Sequence, residues 1–147
     1  MRQFGLKPRI ALLSHSNFGS SDAPSAVKMR TALGLIDARW PGLAADGEMH
    51  ADAALSEAIR GRVMPNGRFA GAANLLVMPT LDAANIAFDM LQVLGNGLSV
   101  GPILLGLGAP AHIVTPAITA RGLLNVTALA VVDADTADNR LLRQAAE

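Results

Sequence analysis

Short apolar runs alternate with segments of helical periodicity along almost the whole chain, and this alternation restricts the fold more than any other feature. The runs that read as buried strands are Ile10–Leu13, Leu43–Met49, Asn74–Met78 and Ile103–Leu107. After each run come a loop and then apolar residues at helical spacing. Strands that alternate with helices predict an α/β domain with a parallel sheet and right-handed crossovers.

The first two helices have recognisable ends. Ser21 or Asp22 is a suitable N-cap for the first, which has Pro24 in its first turn, and Trp40-Pro41-Gly42 ends it after Arg39. The second helix is predicted as one element over residues 51–63.

The last two helices raise the question of what covers them. The third is predicted over 82–94, with Asp82 as N-cap, and its inward side chains are predicted to be Ile86, Met90, Leu91 and Leu94. The fourth is predicted from 120 to about 134 and is apolar nearly all round. Such a helix is expected inside a larger body or against another chain, so a homo-oligomer is expected.

Composition excludes several classes of protein. Lys plus Arg equals Asp plus Glu at 12 each and aromatic residues are 3% of the chain, which does not suit nucleic-acid binding. The absence of cysteine excludes disulfides, thiolate nucleophiles and zinc–thiolate sites. The apolar runs stop well before the roughly 18 residues that cross a bilayer, and no signal peptide is evident. We expect a soluble cytoplasmic protein, and a chain that is a piece of something longer.

The segment after the first predicted strand is a candidate ligand loop. It lies before a helix, where backbone N–H groups and the helix dipole favour an anion such as a phosphate. The candidate ligand contacts are Ser14, His15, Ser16, Asn17, Phe18 and Gly19. The alternative is an ordinary strand-to-helix loop with a helix cap, because neither a dinucleotide fingerprint nor a P-loop is present.

Four polar residues that follow the second predicted strand suggest a second candidate. If the chain is extended there, Asp46, Glu48, His50 and Asp52 share one face and could hold Mg²⁺ or Mn²⁺. The alternative is structural, with Asp52 as a helix N-cap and Glu48 paired with an arginine across the fold. The structural alternative is preferred, and no metal site is assigned.

The glycine- and proline-rich stretch Val100–Thr119 surrounds the fourth predicted strand and should also bind a ligand, because ligands of open α/β sheets lie beyond the carboxyl ends of strands. Its polar side chains before Thr119 are His112 and Thr115. It contains no evident acid, base or nucleophile, so binding without turnover is expected. Beyond the third strand, Asn85 lies one turn after the N-cap candidate Asp82 and could face a crevice; the alternative for both is capping and surface polarity. Arg121 could meet an anion, or be solvated at a helix start.

Three ordered motifs resemble the C-terminal part of phosphate acetyltransferases. They are D-G-E-M-H-A-D-A-A-L at 46–55, G-A-A-N-L-L-V-M-P-T-L-D-A-A-N-I-A-F at 71–88 and V-G-P-I-L-L-G-L-G-A-P-A-H-I at 100–113. The stretches at 12–22 and 111–122 are more similar to the phosphotransacetylase-like domain at the C-terminus of bacterial NADP-dependent malic enzymes. The resemblance runs from Arg9 to Asp133.

The resemblance implies a fold as well. It implies a three-layer αβα architecture with a mainly parallel sheet, of the isocitrate/isopropylmalate dehydrogenase-like type, of which this chain is the C-terminal portion. Residues 1–104 would belong to one lobe. Residues 105–147 would supply the last strand and helix, either in the same lobe or in the second.

The chain departs from the active members of this family at the positions that carry their chemistry. Thr115-Pro116-Ala117 stands where they have Ser-Arg-Gly, Gly122 where they have Asp, and Val93 where they have an Arg near the coenzyme A phosphate. Groups that are absent cannot stabilise an oxyanion or a thiolate. The resemblance therefore implies a segment without catalytic residues, with degenerate positions at Thr115, Pro116 and Gly122.

What the resemblance implies is a regulatory and oligomerisation segment of an NADP-dependent malic enzyme that senses acetyl-CoA. NADP and Mg²⁺ or Mn²⁺ would serve malate decarboxylation in an N-terminal part, and this segment would bind no cofactor. The expected effector contacts are the loop 14–19, Asp82, Asn85, Thr115 and Pro116. The alternatives are a divergent phosphate acetyltransferase or butyryltransferase, and a purely structural assembly domain.

Overall fold

The computed structural model describes residues 4–96, 99–107, 109–116 and 118–144, with the backbone alone for 137–144. The chain divides into two compact units, Met1–Leu91 and Gln92–Glu147. They are described in turn.

The first unit contains a parallel three-stranded sheet, which confirms the predicted α/β class with a parallel sheet. Its strands are β1 (Ile10–Leu13), β2 (Ala45–Met49) and β3 (Leu75–Val77). They lie in the order β2-β1-β3, and β1 pairs in parallel with both neighbours. The strand bounds fall at or inside the predicted runs.

Four helices connect or follow these strands: α1 (Pro24–Arg39), α2 (Ala51–Leu55), α3 (Glu57–Val63) and α4 (Leu81–Leu94). The prediction of one helix over 51–63 was wrong, because Ser56 is extended and separates α2 from α3. The Ser56 hydroxyl accepts a hydrogen bond from the Ile59 N–H and so begins α3 as its N-cap.

Two predicted helix caps were also wrong. The N-cap of α1 is Ala23, which makes no side-chain capping bond, and Pro24 follows in the first turn. At α4 the hydroxyl of Thr80, rather than Asp82, accepts from the Ala83 N–H at 3.2 Å. The predicted end of α1 was right, since Trp40 is its C-cap.

The sheet carries an apolar cluster on each face. Alternation along β1 sends Ala11 and Leu13 to one face and Ile10 and Leu12 to the other. Beside the first pair pack Met49, Ala53, Ala54, Phe69 and Ala73; beside the second pack Met29, Leu33 and Ala45. β1 is buried along its whole length. The central strand therefore organises this unit.

Arg60 on α3 is buried to 2% exposure and ties three segments together. Its guanidinium donates to the carbonyls of Ala53 at 3.0 Å, Phe69 at 3.0 Å and Gly71 at 2.8 Å. It also lies over the Phe69 ring, 4.4 Å from the centroid. This side chain fixes the segment that leads into β3 against α2 and α3.

The predicted inward face of α4 was wrong. Ile86, Met90, Leu91 and Leu94 are all exposed, and no described residue of α4 is buried. The periodicity of apolar residues predicted the helix correctly. It does not show whether another part of the chain packs against the apolar face.

After the last residues of α4, the described part of the second unit consists of an irregular segment and the helix α5 (Ala120–Gln144). The prediction of a strand at 103–107 was wrong, because no described residue there is in a strand. Gly106 has a φ of +85°, which interrupts an extended chain. The predicted end of α5 near 134 was also wrong: no Gly or Pro stops it, and it continues to Gln144. Val126 and Leu129 are its buried apolar residues among those described.

None of the helices in the described part of the chain combines the length and apolar character needed to cross a membrane.

Gly47 in β2 occupies a position that no side chain can enter. Its φ is +145°, and a Cβ would lie 2.6 Å from the Leu12 carbonyl oxygen. We expect Gly47→Ala to lower the free energy of unfolding by about 2 kcal/mol or more, because the strained backbone and the contact both oppose it. Urea denaturation measures the change.

Gly34→Ala on α1 is the matched control. A Cβ there meets no atom within 4 Å, so alanine should raise stability by roughly 0.5–1 kcal/mol through its higher helix propensity. Equal effects at the two glycines would contradict this account of Gly47.

Candidate functional site

A buried carboxylate, Glu48 of β2, lies beside the polar loop that follows β1. Leu12 pairs with Gly47 and Leu13 pairs with Met49, so Glu48 is an extra residue outside the pairing. Such bulges redirect a side chain and are frequent beside functional sites. The Glu48 side chain is 0% exposed.

The loop between β1 and α1 closes on this carboxylate. Ser16 Oγ donates to Glu48 Oε1 at 2.6 Å, and the Gly19 N–H donates to the same oxygen at 2.9 Å. Arg30 of α1 adds a third donor, with Nη1 at 2.9 Å. The hydroxyl of Ser16 and the N–H of Gly19, which were predicted to bind an external anion, therefore donate to a carboxylate of the chain itself.

The pKa of Glu48 is lowered from its ordinary value of 4.5. Burial is the largest single effect and acts to raise the pKa, but the hydrogen bonds from Ser16, Gly19 and Arg30 contribute to a combined effect that outweighs it. Glu48 is therefore ionised at neutral pH. Its stabilising contribution is fully present above the unfolded-state pKa and is lost as the pH falls through the lower folded-state pKa.

Other polar groups of this loop also bond to one another. The N–H of Asn17 donates to Ser20 Oγ at 3.0 Å, and the N–H of Ser21 donates to Ser16 Oγ at 3.0 Å. The Ser14 N–H donates to the Met49 carbonyl at 2.9 Å. A ligand of this loop would have to contact its outer side chains, and the predicted role of residues 14–19 stays a prediction.

Two histidines meet where β1 and β2 end. His50 Nε2 lies 2.8 Å from the His15 carbonyl oxygen, and the His50 N–H donates to Asn17 Oδ1 at 2.8 Å. His15 is exposed and its Nε2 lies 3.3 Å from Ser21 Oγ. The structure thus brings together two of the predicted ligand residues, His15 and Asn17, with His50 at the end of β2.

Two arginines pair with carboxylates of β2 and of the neighbouring segments, and both line one cavity beside β2. Arg30 pairs with Asp22 at 2.7 Å as well as with Glu48. Arg68 contacts Asp37 at 2.5 Å, and its backbone N–H donates to Asp46 Oδ2 at 2.9 Å. The hydrogen bond to Asp37 raises the pKa of Arg68, so its charge is secure.

These contacts favour the structural interpretation of residues 46–52. Asp46 is bound to Arg68, Glu48 is bound to Arg30, and Asp52 accepts from the Ala53 N–H within the first turn of α2. The described part of the chain contains no group of three side chains that could hold a metal ion. The predicted pairing of Glu48 with an arginine is confirmed, whereas Asp52 is not the N-cap, because His50 precedes α2.

Asp82 and Asn85 lie in the first turns of α4, and both are exposed. Their predicted place in a ligand crevice stays a prediction. Arg121, in the first turn of α5, is also exposed.

In the second unit, Thr115 lies at the wall of a cavity of about 420 Å³. Its walls are chiefly the aliphatic side chains of Ile103, Leu104, Ile113, Val114, Ile118 and Val126. Thr115 supplies the one polar side chain among the described lining residues. The cavity can hold an apolar group beside one hydroxyl, but it offers neither a cation nor a base.

The other degenerate positions lie nearby in sequence. Pro116 is exposed in a turn. Gly122 lies in the first turn of α5, where a Cβ would be 3.0 Å from Ile118 Cγ1 and 3.2 Å from Thr119 Oγ1. A larger side chain at 122 would require those neighbours to move.

His112 directly precedes Ile113 of the cavity lining, and its side chain is largely buried. Its Nε2 lies 3.3 Å from Asp133 Oδ2 on α5. Neither ring nitrogen of His112 has a hydrogen-bond partner among the described residues, so the approach to Asp133 is a close contact and not a hydrogen bond.

Sequence reasoning missed Arg30 and Arg68, the two cations that neutralise the carboxylates around β2. Each lies on a segment that reads as surface, and nothing in its neighbours marks it. The one available signal was the strongly acidic composition of 46–52, which requires compensation if it is buried.

Comparison with known proteins connects this geometry to a family. The sequence profile described as Phosphate acetyl/butaryl transferase matches residues 1–131. An NAD-dependent malic enzyme of Rhizobium meliloti is 56% identical over 133 residues, which are 90% of this chain and 17% of that protein. An NADP-dependent malic enzyme of Escherichia coli is 54% identical over 137 residues, 92% of this chain and 18% of that protein.

A solved structure has the same fold. A phosphotransacetylase from Streptococcus pyogenes superposes with a TM-score of 0.83 at 35% identity, over 94% of this chain and 41% of that one. The chain thus spans less than a fifth of the two malic enzymes and about two fifths of the phosphotransacetylase.

Proposed function

The chain belongs to the Phosphate acetyl/butaryl transferase family, and we propose that it is a non-catalytic regulatory and oligomerisation segment of an NADP-dependent malic enzyme. The observation that carries this proposal is the aliphatic cavity at Thr115, whose described lining contains no charged side chain. Acyl transfer from a thioester to phosphate needs cationic groups that bind the phosphate and a group that stabilises the thiolate as it leaves. A cavity of this composition favours binding over turnover.

Acetyl-CoA is the proposed effector. The aliphatic cavity at Thr115 suits an acyl group, and its volume lies within the range of small-molecule sites. The loop 14–19, Asp82, Asn85 and Pro116 are proposed as further contacts. Binding can regulate a distant reaction only if the effector prefers one arrangement of the protein over another.

The apolar surface of α4 supports the oligomerisation part of the proposal. Leu81, Val93 and Leu94 are each about three-quarters exposed. Exposed apolar surface of this extent is typical of surfaces that another body covers. We propose that a second copy of the protein covers this surface in a homo-oligomer.

The longer protein is proposed to be cytoplasmic and to hold NADP and Mg²⁺ or Mn²⁺ outside this segment. The described residues here contain no metal-binding group, and the sequence has no dinucleotide fingerprint. In that protein the sheet would be one layer of a three-layer αβα fold of the isocitrate/isopropylmalate dehydrogenase-like type. Residues 1–104 would lie in one lobe and 105–147 in the second.

Acetyl-CoA is expected to bind this chain without being consumed. Calorimetry should give saturable heat, and an assay of acetyl phosphate formation from acetyl-CoA and phosphate should stay at background. Thr115→Ala should weaken binding by roughly 2- to 10-fold, the value of one hydroxyl hydrogen bond. Thr127→Ala, an exposed threonine outside the cavity lining, is the control.

Two outcomes would replace this proposal. The likeness to a phosphotransacetylase favours the enzymatic alternative, and turnover abolished by Thr115→Ala would establish a phosphate acetyltransferase or butyryltransferase. No heat with acetyl-CoA, in this chain or in the longer protein, would leave a structural assembly domain.

A further inference from the structure

The C-terminal end of α1 presents the single tryptophan of the chain at the surface. Trp40 is 52% exposed, although its backbone N–H donates to the Ile36 carbonyl at 2.7 Å. A large flat ring that is fixed at its backbone and half exposed is suited to stacking with another flat group.

A cation is already placed on this ring. The guanidinium carbon of Arg39 lies 4.9 Å from the centroid of the Trp40 indole. Stacking on one face orders both side chains. Because Trp40 remains half exposed, indole surface is left for a second planar group.

One cavity contains this ring in its lining, and a second cavity adjoins the first. One, of about 610 Å³, is lined by Arg39, Trp40 and residues 41–43. The other, of about 370 Å³, is lined by residues 5–8 and 42–44. They share Gly42 and Leu43, so they form one groove of the size that small ligands occupy.

The charge along this groove has one sign. Arg39 lines the first cavity and Lys7 lines the second, and neither described lining includes Asp or Glu. The carbonyl end of α1 carries a partial negative charge beside Arg39. An anionic group is therefore favoured at the Lys7 side of the groove, away from the helix end.

We propose that this groove binds a nucleotide, with the base on Trp40 and the phosphate toward Lys7. A flat ring surface and a cation, with no carboxylate between them, match a heteroaromatic base joined to a phosphate. Free nucleotides and the nucleotide half of coenzyme A share this chemistry. The proposal is independent of the acyl-binding role, since a nucleotide such as AMP has no acyl thioester.

Fluorescence of the single tryptophan tests the proposal directly. AMP should quench Trp40 saturably, adenosine should quench with weaker affinity, and inorganic phosphate alone should not quench. Lys7→Ala should weaken AMP binding about threefold and leave adenosine unchanged, as expected for an exposed charge contact. Tighter binding of coenzyme A than of AMP would identify coenzyme A as the source, and equal binding would identify free nucleotides; both support the site.

Variants of the ring, followed by calorimetry, separate binding from folding. Trp40→Phe keeps a ring and should retain weakened AMP binding, whereas Trp40→Ala should lose at least about fivefold in affinity. Arg62 is an exposed arginine on α3, and Arg62→Ala is the control that removes one positive charge away from the groove. The proposal is overturned by no saturable response to millimolar AMP, by unchanged affinity in Trp40→Ala with native circular dichroism, or by a self-association that Trp40→Ala abolishes while AMP has no effect.

Discussion

Replacing Arg60 by methionine is expected to lower the free energy of unfolding by about 3 kcal/mol or more. The buried guanidinium donates to the carbonyls of Ala53, Phe69 and Gly71, and each buried polar group left without a partner costs roughly 1–3 kcal/mol. Methionine fills much of the same space without donating, so the loss would come from the hydrogen bonds and from the contact of the guanidinium with the Phe69 ring. Thermal and urea unfolding measure it, with an expected fall in Tm of about 6–12 °C.

Arg62→Met is the control on the same helix. Arg62 is exposed, and exposed substitutions of this kind change stability by no more than about 0.5 kcal/mol. If the two variants unfolded at the same temperature, Arg60 could not have the structural role described for it.

The second large effect is expected for Glu48→Ala. Removing the carboxylate leaves Arg30, the Ser16 hydroxyl and the Gly19 N–H without their common acceptor. We expect a loss of about 2–3 kcal/mol, below the usual range for breaking a buried ion pair because Arg30 is partly exposed. Asp22→Asn removes the exposed partner of Arg30 and should change stability by less than about 1 kcal/mol.

Acid titration of wild type and Glu48→Gln gives this account a further test. The wild-type advantage should be largest at neutral pH and should shrink below pH 4.5, the ordinary pKa of this group. The reason is that protonation removes the charge that Ser16, Gly19 and Arg30 stabilise. A gap that grows on acidification would mean that burial, and not hydrogen bonding, controls the ionisation of Glu48.

The strands of the first unit could be predicted because their apolar runs lie between clear stop signals. β1 has the predicted bounds of Ile10 and Leu13, with a polar loop directly after it. The run 103–107 has similar composition, yet it is not a strand. A strand needs a neighbour for its backbone groups, and composition cannot state whether one is present.

The candidate site was predictable only in its general position. The polar loop after β1 and the acidic segment of β2 were identified, and an arginine partner for Glu48 was foreseen. Which arginine it is could not be predicted, because Arg30 lies 18 residues away in sequence and the contact depends on a bulge at Glu48 in β2. An extended-strand pattern places Asp46 and Glu48 on one face, whereas the extra residue in β2 gives Glu48 a different set of contacts.

The acceptor that shapes the β1–α1 loop is 32 residues further along the chain than Ser16 and 29 further than Gly19. During synthesis, the hydrogen bonds from Ser16 and Gly19 to this acceptor can form only after residue 48 has been added. Before that moment the hydroxyls and amides of the loop can bond only to water or to one another. The native contacts of this loop with Glu48 are therefore non-local, of the kind whose closure entropy must be met before they stabilise the fold.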